Sequence, residues 1–464
     1  MESQIKKIHH QLVNKEISCT KLVQEKLDLL TQNAHHTVNS VLATSALALA
    51  KKVDAKIANG EKIGLLEGIP FGVKDVYMLQ GTYTTASSHF LKKYKASYTA
   101  TSIQKLLDAG AIPIVKENCD SFGHGSSSEN TIFGAVLNAV DSDLVGGGSS
   151  GGSAVNVAKD FTTFSIGGDT GGSIRQPAGY NKVYGLKPTY GRISRYGLMA
   201  YASSTDCVGP IAKSIEDIRI VLNAMSGKDV RDQTTFVSET ISGDLNSSEI
   251  KIVGYYRNFI ESKAISQEIK DDFLSTIEKM KAKGIEVKAL DFFDSDILVS
   301  TYYTLAMAET ASNLSRLDGT NYGARIEGNT LKDTYSITRS ENFSEESKRR
   351  IVGGNQVLSQ GFSDDIYVKA QHLRNQISAR FSQDFDEVDI VVSPVTPSNP
   401  PKVGESLQDP LAMYLSDAYT VGFSLGELPT LTIPKGTSTG LQITADKKKD
   451  AEVLQFANFL NDIL

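Results

Sequence analysis

Two glycine–serine clusters lie close together in this chain, and between them they hold what an acyl-transfer site needs. The first reads Gly146-Gly147-Gly148-Ser149-Ser150-Gly151-Gly152-Ser153-Ala154. The second reads Gly167-Gly168-Asp169-Thr170-Gly171-Gly172-Ser173-Ile174-Arg175-Gln176-Pro177-Ala178. Glycine loses more backbone freedom on folding than any other residue, so clusters of it inside a long chain serve a purpose. It admits positive φ and lets backbone N–H groups come close to a ligand. An acyl-transfer enzyme uses both properties: an exposed serine oxygen, and bare amides around it to hold an oxyanion.

Two other chemistries compete for these residues. Phosphate binding is disfavoured, because the pattern G-x-x-x-x-G-K-[ST] is absent. Asp141, Ser142 and Asp143 also stand where a dinucleotide site needs a clean strand. Gly147-Gly148-Ser149-Ser150-Gly151 matches the nucleophile elbow G-x-S-x-G, which requires an acid and then a histidine later in the chain. Of seven histidines only His372 follows Ser149, and Lys369-Ala370-Gln371-His372-Leu373-Arg374 reads as a polar helix face. With histidine disfavoured the serine needs another base. Lys74 is the best candidate. It follows the apolar run 69–73, so it is expected to be buried, and burial lowers a lysine's pKa by disfavouring the charged form. The duller reading pairs Lys74 with its neighbour Asp75 at the surface.

Segments 147–154 and 167–178 resemble the amidase signature family, and the likeness runs over nearly the whole chain. The resemblance implies an α/β fold with a large mixed central sheet covered by helices on both faces. It places the family's Ser–cis-Ser–Lys triad on Ser173, Ser149 and Lys74. Ser173 is then the nucleophile, Ser149 relays its proton, and Lys74 is the base. The amides of Thr170, Gly171, Gly172 and Ser173 form the implied oxyanion hole. Segments 185–197, 311–319, 348–351 and 409–414 are similar to the glutaminase subunits of tRNA-dependent amidotransferases. For that branch the resemblance implies that Arg350 grips the carboxylate of free glutamine and Asp417 its ammonium. An assisting tyrosine falls on Tyr302 or Tyr303, and spacing leaves both open. Taken alone, Arg350 reads as a solvated helix face beside Lys348 and Arg349, and Asp417 as a surface charge.

The same resemblance implies partners: the B-type component of the amidotransferase and a small third component, of C-type or fungal F-type. Glutamate charged on tRNA(Gln) would be handled mainly through the partner. ATP and magnesium are expected there, with no cofactor and no metal in this chain. Cys119 and Ser121 stand where bacterial members of this branch usually carry Met and Glu, and the chain beyond Ile443 is short. The likeness is to a diverged organellar form, fungal mitochondrial, which implies the mitochondrial matrix; the alternative is a bacterial cytoplasm. Two rival functions are a stand-alone amidase for another small amide and a catalytically silent scaffold. The intact Lys74, Ser149 and Ser173 argue against silence.

The elements that must position these residues are readable in outline. The chain has 464 residues, 40% hydrophobic and 22% charged, with a formal net charge of −6. That is an ordinary globular composition, and the charge gives no sign of a generally basic surface, which argues against strong nucleic-acid binding by this chain alone and leaves room for a local basic patch. Cys19, Cys119 and Cys207 are far apart and form neither a disulfide framework nor a zinc motif. The weakly polar stretch 41–50 is too short to span a bilayer. Residues 2–30 show helical spacing, with Ser18 and Thr20 as caps for the second helix, and 41–59, 99–109 and 266–283 read as further helices. Strands are expected at 68–75, 111–115, 250–256, 285–290 and 388–392, the last closed by Ser393-Pro394. The two clusters are expected on loops flanking a helix that starts near Ala154. The expected organisation is one domain over 1–464. It comprises N-terminal helices 2–59, a signature core about 65–215, and a substrate-recognition part about 250–464.

Overall fold

The computed structural model describes residues 2–243, 245, 250–434 and 439–464. Its strands, in chain order, are β1 (Val38–Val41), β2 (Pro70–Lys74), β3 (Ile112–Glu117), β4 (Phe164–Asp169), β5 (Tyr184–Lys187) and β6 (Cys207–Ala212). They continue with β7 (Ile252–Tyr256), β8 (Glu286–Leu290), β9 (Ile390–Pro394), β10 (Thr430–Ile433) and β11 (Leu441–Thr444). All belong to one 11-stranded sheet in the order β1-β3-β2-β4-β6-β5-β10-β11-β9-β7-β8. Pairing is parallel across β3–β2–β4 and across β9–β7–β8. It is antiparallel elsewhere, so the sheet is mixed as expected.

Every residue of β2, β3, β4 and β6 is buried. Side chains alternate across a strand, so continuous burial means that both faces are covered. In β6, Val208 and Ala212 join the main core. Ile211 faces a smaller cluster with Ala154 and Val157 of the Gly151–Ala158 helix, Ala178 of the Arg175–Tyr180 helix, and Ile174 just before it. The parallel strands β2, β3 and β4 end at a common edge, at Lys74, Glu117 and Asp169 respectively. In sheets of this kind ligands bind outside the carboxyl ends of the strands.

Several boundaries depart from the sequence reading. The first cluster is not all loop, because the helix already begins at Gly151. In the second cluster Gly167-Gly168-Asp169 completes β4, and Arg175 opens the next helix. Close packing explains the glycines there. A Cβ on Gly152 would lie 2.4 Å from the Asn118 carbonyl oxygen. Strand β9 runs through Ser393 and Pro394, with Pro394 opposite Leu441 of β11, rather than stopping before them. A proline at a strand end sacrifices little of the ladder. Ser18 caps the Cys19–Thr31 helix, accepting from Lys21 N. Thr20 does not cap; its hydroxyl donates to Asp54 Oδ2 at 2.5 Å. Among the described residues no helix is long and apolar enough to cross a membrane.

Candidate active site

Lys74 closes β2 and turns its side chain into the core, 2% exposed. Its Nζ lies 2.7 Å from Ser149 Oγ, 3.0 Å from Ser150 Oγ and 3.4 Å from the Gly168 carbonyl oxygen of β4. Burial pushes the Lys74 amine below its ordinary pKa; Cys119, Asp120 and Asp169 nearby oppose this only in part. The surface pairing with Asp75 does not occur. Asp75 is itself fully buried and pairs with Lys116 at 3.1 Å. A lysine ringed by hydroxyls and a carbonyl, rather than by a carboxylate partner, is suited to exchange a proton with Ser149.

The peptide between Gly148 and Ser149 is cis. Only glycine fits before it, because a Cβ on Gly148 would sit 2.2 Å from Asp120 Oδ2 and 2.8 Å from Ser127 N. Gln176 ties the two clusters together, accepting from Gly148 N at 2.9 Å. Ser150 N donates to the Ser173 carbonyl at 3.0 Å. Ser149 is buried (1% exposed), whereas Ser173 is only half-buried, as a nucleophile open to substrate should be.

Asp169 and Arg175 shape the loop that carries Ser173. Both side chains are fully buried and paired in a fork, Nη2 to Oδ1 at 2.9 Å and Nε to Oδ2 at 3.0 Å. Burial alone would raise the Asp169 pKa; Arg175, with Lys187 and the Ile174 amide, more than offsets it and holds the carboxyl below its usual range. The same carboxylate accepts Gly172 N at 2.8 Å and Ile174 N at 3.1 Å. Of the four amides expected to form an oxyanion hole, that of Gly172 is therefore already engaged by Asp169. Thr420 closes the loop from the other side. Its hydroxyl donates to the Gly171 carbonyl, and its own carbonyl accepts from Arg175 Nη1 at 2.9 Å.

The two charged residues expected to meet the substrate come from separate segments. The Glu345–Leu358 helix supplies Arg350, 2% exposed rather than solvated. Its Nε donates to Glu346 Oε1 at 2.7 Å, and its Nη1 donates to Tyr201 Oη. The guanidinium lies over the rings of Tyr201, Tyr303 and Tyr414 at 5.4, 5.3 and 5.6 Å. Asp417 follows the Pro410–Leu415 helix and is also buried, not a surface charge. It accepts from Tyr303 Oη at 2.7 Å and Ser126 Oγ at 2.9 Å. Burial pushes its pKa up to about 6, against the hydrogen bonds from Tyr303 and Ser126. Geometry separates the two candidate tyrosines. Tyr303 joins Asp417 and Arg350. Tyr302 covers the oxyanion loop, where a Cβ on Gly171 would meet its Cζ at 2.5 Å.

His372 lies exposed on the Val368–Glu387 helix, so the elbow-type triad finds no support. Sequence reasoning missed Ser126, Ser150, Tyr201 and Glu346. The Glu346–Arg350 spacing of one helical turn was a readable signal; the serines and Tyr201 carried none. No group of His, Cys, Asp and Glu able to hold a metal occurs among the described residues.

Comparison with known proteins agrees with this geometry. The family described as Amidase matches residues 20–454. The chain belongs to that family. It is 41% identical over 467 residues to the A-type component of glutamyl-tRNA(Gln) amidotransferase from Nostoc sp., covering 98% of this chain and 96% of the relative. The component of the same name from Lachnospira eligens is 41% identical over 422 residues, 88% of this chain and 87% of the relative. Among solved structures, the A-type component of glutamyl-tRNA(Gln) amidotransferase from Thermotoga maritima is 33% identical with a TM-score of 0.73, over 86% of this chain and 83% of its own. A crystal structure described as amidase is 26% identical with a TM-score of 0.83 over the full length of both chains. The amidase fold accounts for the mixed sheet.

Proposed function

We propose that this chain is the glutaminase subunit of a glutamyl-tRNA(Gln) amidotransferase. Neutral Lys74 takes a proton from Ser149, which takes one from Ser173 as its Oγ attacks the side-chain carboxamide carbon of glutamine. The developing oxyanion is held by the amides of Thr170, Gly171 and Ser173. The proton returns through Ser149 to the leaving nitrogen, the C–N bond breaks, and ammonia departs. Water then attacks the acyl-enzyme by the same relay and releases glutamate. The carrying observation is a buried lysine 2.7 Å from a serine in a cavity that Tyr201 also lines, with Tyr201 accepting from buried Arg350, and Arg350 lying over the ring of Tyr303, which donates to buried Asp417. A zwitterionic substrate would bring a cation to Asp417, which accepts only from the hydroxyls of Tyr303 and Ser126, and an anion to the Arg350 Nη2 that the bonds to Glu346 and Tyr201 do not use; an apolar amide would bring neither.

The ammonia passes to a B-type partner that amidates glutamate on tRNA(Gln), with ATP and magnesium bound there and a small third component completing the assembly. The setting in this reading is the mitochondrial matrix. The test is Ser173→Ala in the assembled complex. Glutamine-dependent amidation should vanish, while free ammonium should still support it. Glutamine-dependent activity at the parental rate would overturn the assignment. Loss of small-amide hydrolysis with no role for any partner would instead favour a stand-alone amidase.

A further inference from the structure

We propose that His124 recognises the substrate carboxylate, its Nε2–H joining Arg350 and Tyr201 as a third donor. The inference rests on the glutaminase reading above. His124 is fully buried. Its ring stands edge-on to Tyr201, with centroids 4.7 Å apart. Its Nδ1 lies 2.9 Å from Ser347 Oγ, on the helix that carries Arg350. Ser344 Oγ donates to Ser347 Oγ at 3.0 Å, so the Ser347 hydrogen is left for His124 Nδ1. Nδ1 is then the acceptor and the ring proton sits on Nε2. That Nε2 is buried and has no hydrogen-bond partner.

A buried donor without an acceptor is costly, and two neighbouring groups also have donor hydrogens to offer. Tyr201 Oη accepts from Arg350 Nη1 and, at 3.5 Å, from Tyr302 Oη, so its own hydrogen still needs an acceptor. The bonds of Arg350 to Glu346 and Tyr201 use Nε and Nη1, not Nη2. Donors from three chain segments thus gather with acceptors in deficit. Their common complement is an anion with several lone pairs, and a carboxylate is the anion an amino-acid amide brings. Burial and the neighbouring Arg350 keep His124 neutral, so it serves as a donor and adds no second buried cation. A residue kept only for packing gains nothing from a polar edge in this place.

The experiment compares glutamine with glutamine α-amide, which lacks the carboxylate, in the parent, His124→Leu and His124→Gln. His124→Leu should raise KM for glutamine about tenfold or more with little change in kcat, and leave the α-amide unaffected. His124→Gln sets an amide N–H where Nε2 stood and should restore most of the loss. If the leucine variant does not fold, His124→Gln and His124→Asn decide. Asn reaches only the Nδ1 position and should behave like the loss. A leucine variant that keeps the parental preference for glutamine overturns the proposal, as does one that loses both substrates equally. A parent that uses the α-amide as well as glutamine sinks the glutaminase reading itself.

Discussion

Lys74 and Arg350 are equally buried cations, each 2% exposed, yet their surroundings treat the charge in opposite ways. Lys74 faces two hydroxyls and a carbonyl, and burial prevails over the more distant carboxylates. Arg350 faces the Glu346 carboxylate and three aromatic rings. Burial would lower its pKa too, but Tyr201, Glu346 and Tyr303 hold it well above the ordinary value. In the proposed function equal burial therefore serves a proton acceptor in one place and an anion receptor in the other. What decides is the chemistry of the first neighbours, together with the side chain itself, since a guanidinium gives up its proton far less readily than an amine.

The largest expected effect breaks the first half of this contrast. Lys74→Ala should lower glutamine turnover by about 10⁴-fold, the scale seen when one member of a serine relay is removed. Lys74→Arg sharpens the point. It keeps a charge in the same region but cannot act as a base, so it should be as inactive as the alanine variant. A half-active arginine variant, read by steady-state release of ammonia, would mean that Lys74 acts through its charge.

Next come the recognition charges. Removing Arg350 or Asp417 leaves the opposite charge of glutamine desolvated, which costs about 2–5 kcal/mol. On that scale Arg350→Ala and Asp417→Asn should each lower kcat/KM for glutamine by about 30-fold to several thousandfold. Acylation of Ser173 by a small neutral reagent, followed by mass spectrometry, should survive in both. Loss of that acylation would show that the two halves are not separable.

A smaller effect follows from pH. Asp417 titrates at about 6, and only its anion pairs with the substrate ammonium. The profile of kcat/KM, which reports the free enzyme, should therefore fall as pH drops through about 6. Asp417→Asn should lack that limb. The sign for stability is the reverse. The folded pKa lies above the ordinary 3.8, so the folded state binds more protons in this window, and the contribution of Asp417 to stability declines as pH rises from 3.8 to about 6. Smallest of all is the tyrosine pair. Tyr303→Phe removes a hydrogen bond to a buried carboxylate and should weaken glutamine use by about tenfold. Tyr302→Phe keeps the ring over Gly171 and should stay within about threefold of the parent.

The contrast also separates what the sequence reveals from what it hides. The acylating centre is legible because most of it lies within two short clusters whose glycines and serines have few other uses. Its base needed only an apolar run ending in lysine. The residues proposed for recognition, Tyr303, Arg350 and Asp417, lie on two helices and on the turn after a third, and helical periodicity alone does not rank Arg350 above Arg349. Side chains of adjacent helical residues point about 100° apart, so Tyr302 and Tyr303 diverge to different halves of the site, a choice fixed by packing against Gly171 and Asp417. Strand β3 shows the same limit. Its end, Lys116-Glu117, reads as a polar exit from the sheet. It is buried because Asp75 meets Lys116, while Ser153, Ser165 and Asn156 meet Glu117.

Thr420 bears on anyone redesigning this protein. It lies three residues beyond Asp417 and grips the oxyanion loop through Gly171, while Arg175 reaches back to its carbonyl. The stretch that reads the substrate therefore cannot be swapped as a cassette from another amidase. A graft that shifts the spacing between positions 417 and 420 would displace the donors that stabilise the reacting oxygen. Library designs should hold that spacing constant and vary Ser126, Tyr303 and Asp417 together, since the effects of changes made one at a time will not add.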